Sequence, residues 1–556
     1  MFLCVRLMSN TMLGRLLVKR SPKLSQNPFE DFVDFLSNKH GEELWVTVYK
    51  RDPINNTDHD GGMYCALVRK EKSEQTMERP GWDLMIGSGG PGFCTSYEDG
   101  EEVSTYYTNS DDDFLRPILV RDFHGRKEDY IEILEEFRLF HNLYHDNESG
   151  SFISFDEVGD EVEVIKVKRN EVKIRRRYLR SFMAARQMNL LLYFELTRHY
   201  EEIVGFSDNT KNESLVYTIY SGDSYSDGYT SFSRILGKKL IRCEVVEKCG
   251  VWPFETEKEY QEFIIGGDTD EPEIFSCNPD KLANYFGANP DAPHYLTPVF
   301  FRKEVMQKYY SSSDYEITDG HLNRTGAWSL RFDNNSPNHV SVFLGDLGQD
   351  LPSKEQVYWK SFNLIPDDRK ISRTNFERSF LGNFYDAENP EHRFKQKFRD
   401  IQGYWNKKYG WYLFLPLAVK DEHFYESIRS MLTNEQSEFD AQVLALTKVT
   451  IDSINVKLLR KHLEITDKSI KSISLMETLL EKLKSPHLSA LSNLLKGIQS
   501  VRSTGVAHRK GTDYEKTMTK LKINDGDYTS EFDQLLLGIL FLFDEIMQLD
   551  SEIKNE

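Results

Sequence analysis

The residues best suited to chemistry in this chain cluster at 501–511, Val501-Arg502-Ser503-Thr504-Gly505-Val506-Ala507-His508-Arg509-Lys510-Gly511. Cleaving RNA with its own 2′-hydroxyl needs a group that takes a proton near neutral pH, the role to which histidine is suited. It also needs a fixed cation beside the pentacovalent phosphorane, and arginine offers a rigid, always-charged fork. That chemistry requires no metal. Arg502 and His508 would supply the two groups, Ser503 or Thr504 could orient phosphate, and Arg509, Lys510 and Lys496 could hold the backbone. Six residues turn a continuous helix by about 600°, which leaves Arg502 and His508 about 120° apart. Gly505 permits a bend that would let them converge. Assembly across a two-fold dimer axis is a second route. Between Lys484 and Lys522 there are eight Lys/Arg against Asp513 and Glu515, a local basic surface of the kind that binds phosphate. The same pair has a structural reading, since Arg and His near a helix C-terminus stabilise its dipole.

These residues need a scaffold, and the sequence beyond Lys420 supplies a helical one. Gly and Pro become rare there and the apolar period becomes helical. Val443, Leu446, Thr450, Ile454 and Leu458 form one stripe, and Leu475, Leu479 and Leu483 a second. Leu488, Leu491, Leu494, Leu495 and Ile498 form a third, immediately before Arg502. Leu536, Ile539, Leu540, Phe543, Ile546 and Met547 form a fourth. Four amphipathic segments with short connectors predict a helical bundle over residues 418–556.

The chain ahead of the bundle, positions 1–417, reads as α+β. Residues 45–49, 63–68, 152–155, 161–168 and 190–196 have strand character, and strand candidates continue to 246. Residues 128–143 and 174–187 are expected to be helical. A strand-rich aromatic segment follows over 291–417, with strands at 328–333 and 340–344 and a helix at 394–404. The expected organisation is a basic extension (1–28), an α+β domain (29–290), the middle domain (291–417) and the bundle. Residues 1–28 contain no acid but carry Arg6, Arg15, Lys19, Arg20 and Lys23. They read as a flexible extension, with Met8 or Met12 as alternative starts.

Other residues could do chemistry. Lys166, Lys168, Arg169, Lys173, Arg175, Arg176, Arg177 and Arg180 could grip phosphates, with Tyr178 available for stacking; they could equally pair with the chain's many acids. The 87–92 loop lacks the Lys-Ser/Thr of a phosphate-binding loop and reads as a plain turn. Asp58-His59-Asp60 and Asp111-Asp112-Asp113 match no metal-cage spacing. His141 and His145 lack a third ligand. Trp405, Tyr409, Trp411, Tyr412 and Phe414 read as core or seam. A site in the front of the chain would need acids such as Glu135 or Asp346 to converge in a pocket. No metal or cofactor is expected.

Composition sets the outer bounds. The chain has 556 residues, too many for one core, so two to four domains are expected. The net charge of −19 makes most of the surface repel nucleic acid and anionic membranes. No apolar run approaches the roughly 18 residues of a membrane span, so none is expected. The six cysteines form no C-x-x-C pair and read as free thiols in a reducing, cytoplasmic compartment.

A helical bundle carrying R-x5-H after an apolar helix resembles the HEPN domain family. The resemblance covers only the stretch from Lys420 to the C-terminus, about a quarter of the chain. Many active members carry Asn, Asp or His after the arginine, where this chain has Ser503. The resemblance implies a metal-independent endoribonuclease with Arg502, His508 and Ser503 at its site, completed by homodimerisation through the bundle. It implies RNA, including tRNA, as partner, and a role as effector of antiviral defence or of a toxin system. A regulatory partner protein and gating by the N-terminal domains belong to the same expectation. The alternative is a non-enzymatic protein whose bundle dimerises or binds nucleotide or nucleic acid. The chain preceding the bundle is similar to uncharacterised bacterial proteins with runs like Glu135-Glu136-Phe137-Arg138-Leu139-Phe140-His141-Asn142-Leu143-Tyr144 and Phe343-Leu344-Gly345-Asp346-Leu347-Gly348, which implies no function.

Overall fold

β-Branched and aromatic runs separated by turn residues pair into one large antiparallel sheet in the N-terminal part of the chain. The computed structural model describes residues 26–51, 59–78, 92–107, 114–123, 125–226, 228–506, 516, 518–519 and 527–552. Positions 1–25, 52–58, 79–91 and 108–113, and His508, Arg509 and Lys510 lie outside the described residues. The chain is α+β and divides into two compact units. One comprises residues 1–156 and 160–257, the other 157–159 and 258–556.

The first unit is built on an eleven-stranded sheet. Its longest strand, Met188–Tyr200, pairs with His59–Arg69 on one side and Ser231–Ile241 on the other. Met188–Phe194 is buried residue after residue, whereas Glu195 to Tyr200 is half-buried. A continuous apolar run therefore marks the fully covered part of the strand. Beyond His59–Arg69 the order continues through Trp45–Arg51, Glu171–Arg175, Glu161–Lys168 and Phe152–Phe155. The helix Arg176–Arg186 contributes Leu179, Phe182 and Met183 to the same core. Gln187 ends it in the left-handed conformation.

Two expected helices are corrected. Residues 128–143 contain a strand, Tyr130–Ile133, and a short helix, Glu135–Phe140. Ile131 and Ile133 satisfy their backbone by pairing with Ile118–Arg121, which overrides the helical spacing. Residues 174–187 begin as the end of strand Glu171–Arg175, which pairs on both sides, before the helix starts at Arg176.

The second unit combines small sheets and a bundle. Pro298–Phe301 lies between Val340–Phe343 and Asn363–Leu364, and Tyr315–Thr318, His321–Arg324 and Trp328–Arg331 form a meander. Their core holds Phe301 edge-on to Trp359 at 4.9 Å. Trp359 Nε1 donates to the Tyr309 hydroxyl at 2.7 Å, and that hydroxyl donates to the buried Glu355 carboxylate at 2.6 Å. The Gly345 and Gly348 pair is explained by close approach. Helix Leu344–Asp350 buries Leu344 and Leu347. A Cβ on Gly345 would stand 2.2 Å from the Tyr295 ring, and one on Gly348 would stand 1.8 Å from the Cys277 carbonyl oxygen.

Three of the four apolar stripes lie on helices Ser472–Lys482, Leu488–Val501 and Tyr528–Glu552. The first is broken, with Val443, Leu446 and Thr450 on helix Gln436–Thr450, Ile454 in a bridge to Phe414 and Leu458 on the separate helix Val456–His462. A further helix, Pro390–Tyr409, belongs to the same core. Its Phe394, Phe398, Ile401 and Trp405 are buried together with Val443, Leu479, Leu495 and Phe543. Asn389 caps it by accepting from Glu391 N–H at 2.9 Å, Pro390 occupies its first position and Gly410 at φ 78° ends it. The bundle thus begins near 390, ahead of the expected start at 418. The break between units falls at 257/258, while the expected boundary at 290/291 lies inside the second unit, where Phe263 and Cys277 share a core with Phe301.

Gly348→Ala tests the close approach. Alanine favours a helix over glycine by about 1 kcal/mol. A Cβ at 1.8 Å from a backbone oxygen has no rotamer by which to escape. Overpacking costs about 1–3 kcal/mol or more, so the expected net outcome is a lower melting temperature, checked by differential scanning calorimetry.

Candidate functional site

The Leu488–Val501 helix turns Leu491, Leu495, Ile498 and Val501 into the bundle core, and all four are buried. At Arg502 the helix widens into a π-helical turn, Arg502–Val506. Such turns shift the side chains that follow and frequently mark functional sites. Ser503 Oγ and Thr504 Oγ1 both donate to the Ser500 carbonyl, at 3.0 and 2.7 Å. These hydroxyls therefore stabilise the turn itself.

Arg502 is part-exposed at 29% and Asp452 opposite it at 35%, with Nη2 and Oδ2 separated by 3.9 Å. That is an ion pair too long for a hydrogen bond, and a solvated pair of this kind contributes about 1 kcal/mol or less. Asp452 also faces Lys448 at 3.6 Å. His508, the intended partner of Arg502, lies outside the described residues, as do Arg509 and Lys510. Lys496 is described and pairs with Glu477 at 2.5 Å, and Glu477 also accepts from Ser492.

The basic run around Arg175 does not converge on one point. Arg175 Nε donates to the Glu163 carbonyl at 2.8 Å, and its guanidinium lies over the Trp45 ring at 4.9 Å. Arg176 reaches the Glu42 carboxylate at 3.2 Å. Arg177 donates to the Tyr178 hydroxyl at 2.7 Å. Arg180 contacts Gly41, Glu42 and Glu244. These partners tie the strand-to-helix junction together.

His141 is held by its Nε2 contact to the Tyr178 carbonyl at 2.9 Å, and burial lowers its pKa to about 4. His145 stacks on Phe152 at 4.4 Å. Among the described residues no group of three or more His, Cys, Asp or Glu is placed to hold a metal. Trp405, Tyr409 and Trp411 pack on one another, and Trp405 and Phe414 are buried in the bundle core.

A polar cavity of about 360 Å³ in the second unit takes in Asp346 but not Glu135, which belongs to the first unit, so the two acids named from the sequence do not converge. Tyr295, Asp319, His321, Arg331, Asp346 and Arg378 line it. Burial pushes the Asp319 carboxyl up, but bonds from Arg378 at 2.7 Å and Asn335 at 2.8 Å outweigh it and hold the pKa low. Burial raises Asp346, with Tyr295 and Arg331 opposing. One turn on, burial and the neighbouring Asp346 carry Asp350 up to about 6. The sequence signal was the Phe343–Gly348 run, whose glycines seat Asp346 against Tyr295.

Comparison with protein-family models, curated proteins and solved structures finds no match. No helix among the described residues is long and apolar enough to cross a membrane.

Asp350 gives a pH prediction. Its folded pKa lies above the unfolded value near 3.9. Ionisation therefore disfavours the folded state, with a cost that grows from about pH 4 and is complete above about pH 6. Asp350→Asn is expected to match wild type in melting temperature at pH 4 and to exceed it by a few degrees at pH 7.5. Since the side chain is only half-buried, screening holds the gain to about 1 kcal/mol.

Proposed function

We propose that the C-terminal bundle is a HEPN-type endoribonuclease that cuts RNA without a metal, leaving a 2′,3′-cyclic phosphate. His508 moves the proton of the 2′-hydroxyl or of the leaving oxygen, and Arg502 stabilises the phosphorane. Ser503 and Thr504 hold the turn, and Arg509 and Lys510 contact the RNA backbone. The site is completed by a second copy of the chain. The protein works in the cytoplasm as effector of an antiviral or toxin system, under control of its N-terminal unit.

The observation that carries this reading is the π-helical turn that starts at Arg502 and leaves its guanidinium part-exposed, with a long 3.9 Å contact to Asp452. An arginine so placed keeps donors for an incoming phosphate. The same contact favours a second reading, a non-enzymatic bundle in which Arg502 only secures the segment after helix Gln436–Thr450.

Purified full-length protein, incubated with total RNA and with tRNA in EDTA, separates the two. Cleavage is expected in wild type and is expected to fall by roughly 10²–10³-fold in both His508→Ala and Arg502→Ala. No cleavage, or equal cleavage by all three proteins, would leave the non-enzymatic reading. In that case Arg502→Ala and Asp452→Ala would share the same small loss of thermal stability.

A further inference from the structure

The first unit contains a cavity of about 540 Å³ that the nuclease reading does not use. Its floor is one face of the large sheet. Directly opposed residues of antiparallel strands share a face. The register sets Thr47 opposite Lys173, Lys50 opposite both Met63 and Glu171, and Met63 opposite Phe194. Thr47, Lys50, Met63, Glu171 and Lys173 therefore lie on one surface. Gly61 stands opposite Leu196 on the same surface, at φ +130°, where a Cβ would sit 2.0 Å from the Glu195 carbonyl oxygen. A Cβ there would collide with the backbone of the paired strand, so glycine lets the two strands pair closely beside the cavity.

The walls are aromatic. Phe32 and Phe35 of helix Glu30–Asn38 and Trp45 at the start of its strand line the space. Phe32 is fixed edge-on to Phe194 at 5.3 Å. One buried polar atom of the lining has no partner among the described residues. Glu43 accepts from Gly41 N–H through Oε2 at 2.7 Å, but its Oε1 is buried with no donor. A buried carboxylate oxygen without a donor is costly, and the cavity is the side from which one can come. Lys50 has no ion pair among the described residues, whereas Lys173 is neutralised by Glu171 at 3.2 Å. Arg198, at the far edge, donates to the Pro28 carbonyl and lies over Phe29.

Flat apolar walls, one acceptor waiting for an N–H and, on the floor, a cation with no ion pair among the described residues describe a single ligand chemistry. We propose that this cavity binds a free nucleotide. The base lies against Phe32, Phe35 and Trp45, its N–H edge donates to Glu43 Oε1, and the phosphates meet Lys50. A few hundred Å³ suits a molecule of this size. The inference stands independently of the nuclease reading.

The test is isothermal titration of the full-length His508→Ala protein with ATP, GTP, CTP and UTP, and with inorganic phosphate alone. The catalytic-residue variant separates binding from any turnover. At least one nucleotide is expected to bind with Kd below 100 μM. Affinity is expected to fall at least tenfold on adding Glu43→Gln and on adding Lys50→Met. Lys50 is exposed, so that second variant keeps its fold, to be verified by its melting curve. The proposal is overturned if no nucleotide binds below 1 mM, if Lys50→Met binds as tightly as its parent, or if phosphate alone binds as tightly as the nucleotide.

Discussion

The packing of Phe543 holds the bundle of the second unit together. Its ring lies 6.0 Å from Phe394, 6.0 Å from Phe398 and 5.3 Å from Phe414. Burying an aromatic side chain of this kind stabilises the fold by about 2–3 kcal/mol. The more important consequence is topological. Helix Tyr528–Glu552 joins helix Pro390–Tyr409, far earlier in the chain, to the helix that ends at Arg502. Gly538 lets it approach closely, for a Cβ there would stand 2.7 Å from a Leu494 methyl. At its far end the buried Asp550 accepts from Tyr404 at 2.8 Å and from Lys408 and Tyr409 at 2.5 Å. A carboxylate buried with three donors is stable, and one stripped of them is not. The helix therefore has one register, and the Arg502 turn inherits its position from it.

Charge imposes a second constraint. With 89 acids against 70 lysines and arginines, a cation is seldom left without a neighbour. Arg175, Arg176, Arg177, Arg180 and Lys496 each meet an acid, a carbonyl or an aromatic group. A basic run in such a chain is therefore weak evidence for a phosphate site. Cations that escape pairing are more informative, and Lys50 is one among the described residues; Arg502, with its long contact, comes close.

Glycines place the remaining features by absence of a side chain. Gly345 and Gly348 admit helix Leu344–Asp350 to the Tyr295 ring and the Cys277 carbonyl, which puts Asp346 on the polar cavity. Gly61 lets its strand pair closely with the strand of Leu196 in the first unit. In each case a backbone or ring approaches nearer than a Cβ would permit.

The sequence alone determined the elements whose own periodicity decides them. The helical character of the segments from Val443 to Met547, the strand over 190–196 and the α+β character follow from spacing, because burial of one face is a local property of a helix or strand. Of the aromatic run at 405–414, read as core or seam, Trp405 and Phe414 are buried in the bundle core, whereas Tyr412 is exposed. Tertiary structure decided the rest. Ile131 and Ile133 became strand because a partner strand was available at Ile118–Arg121. Helix Pro390–Tyr409 joined the bundle because Phe543 offered it a surface. The cavity floor at Thr47, Lys50 and Lys173 exists only through strand register, which joins positions far apart along the chain. The π-helical turn at Arg502 was hinted at by Gly505, yet its pairing with Asp452 depends on a neighbouring helix. Contacts distant along the chain leave no period in it, and only the folded arrangement states them.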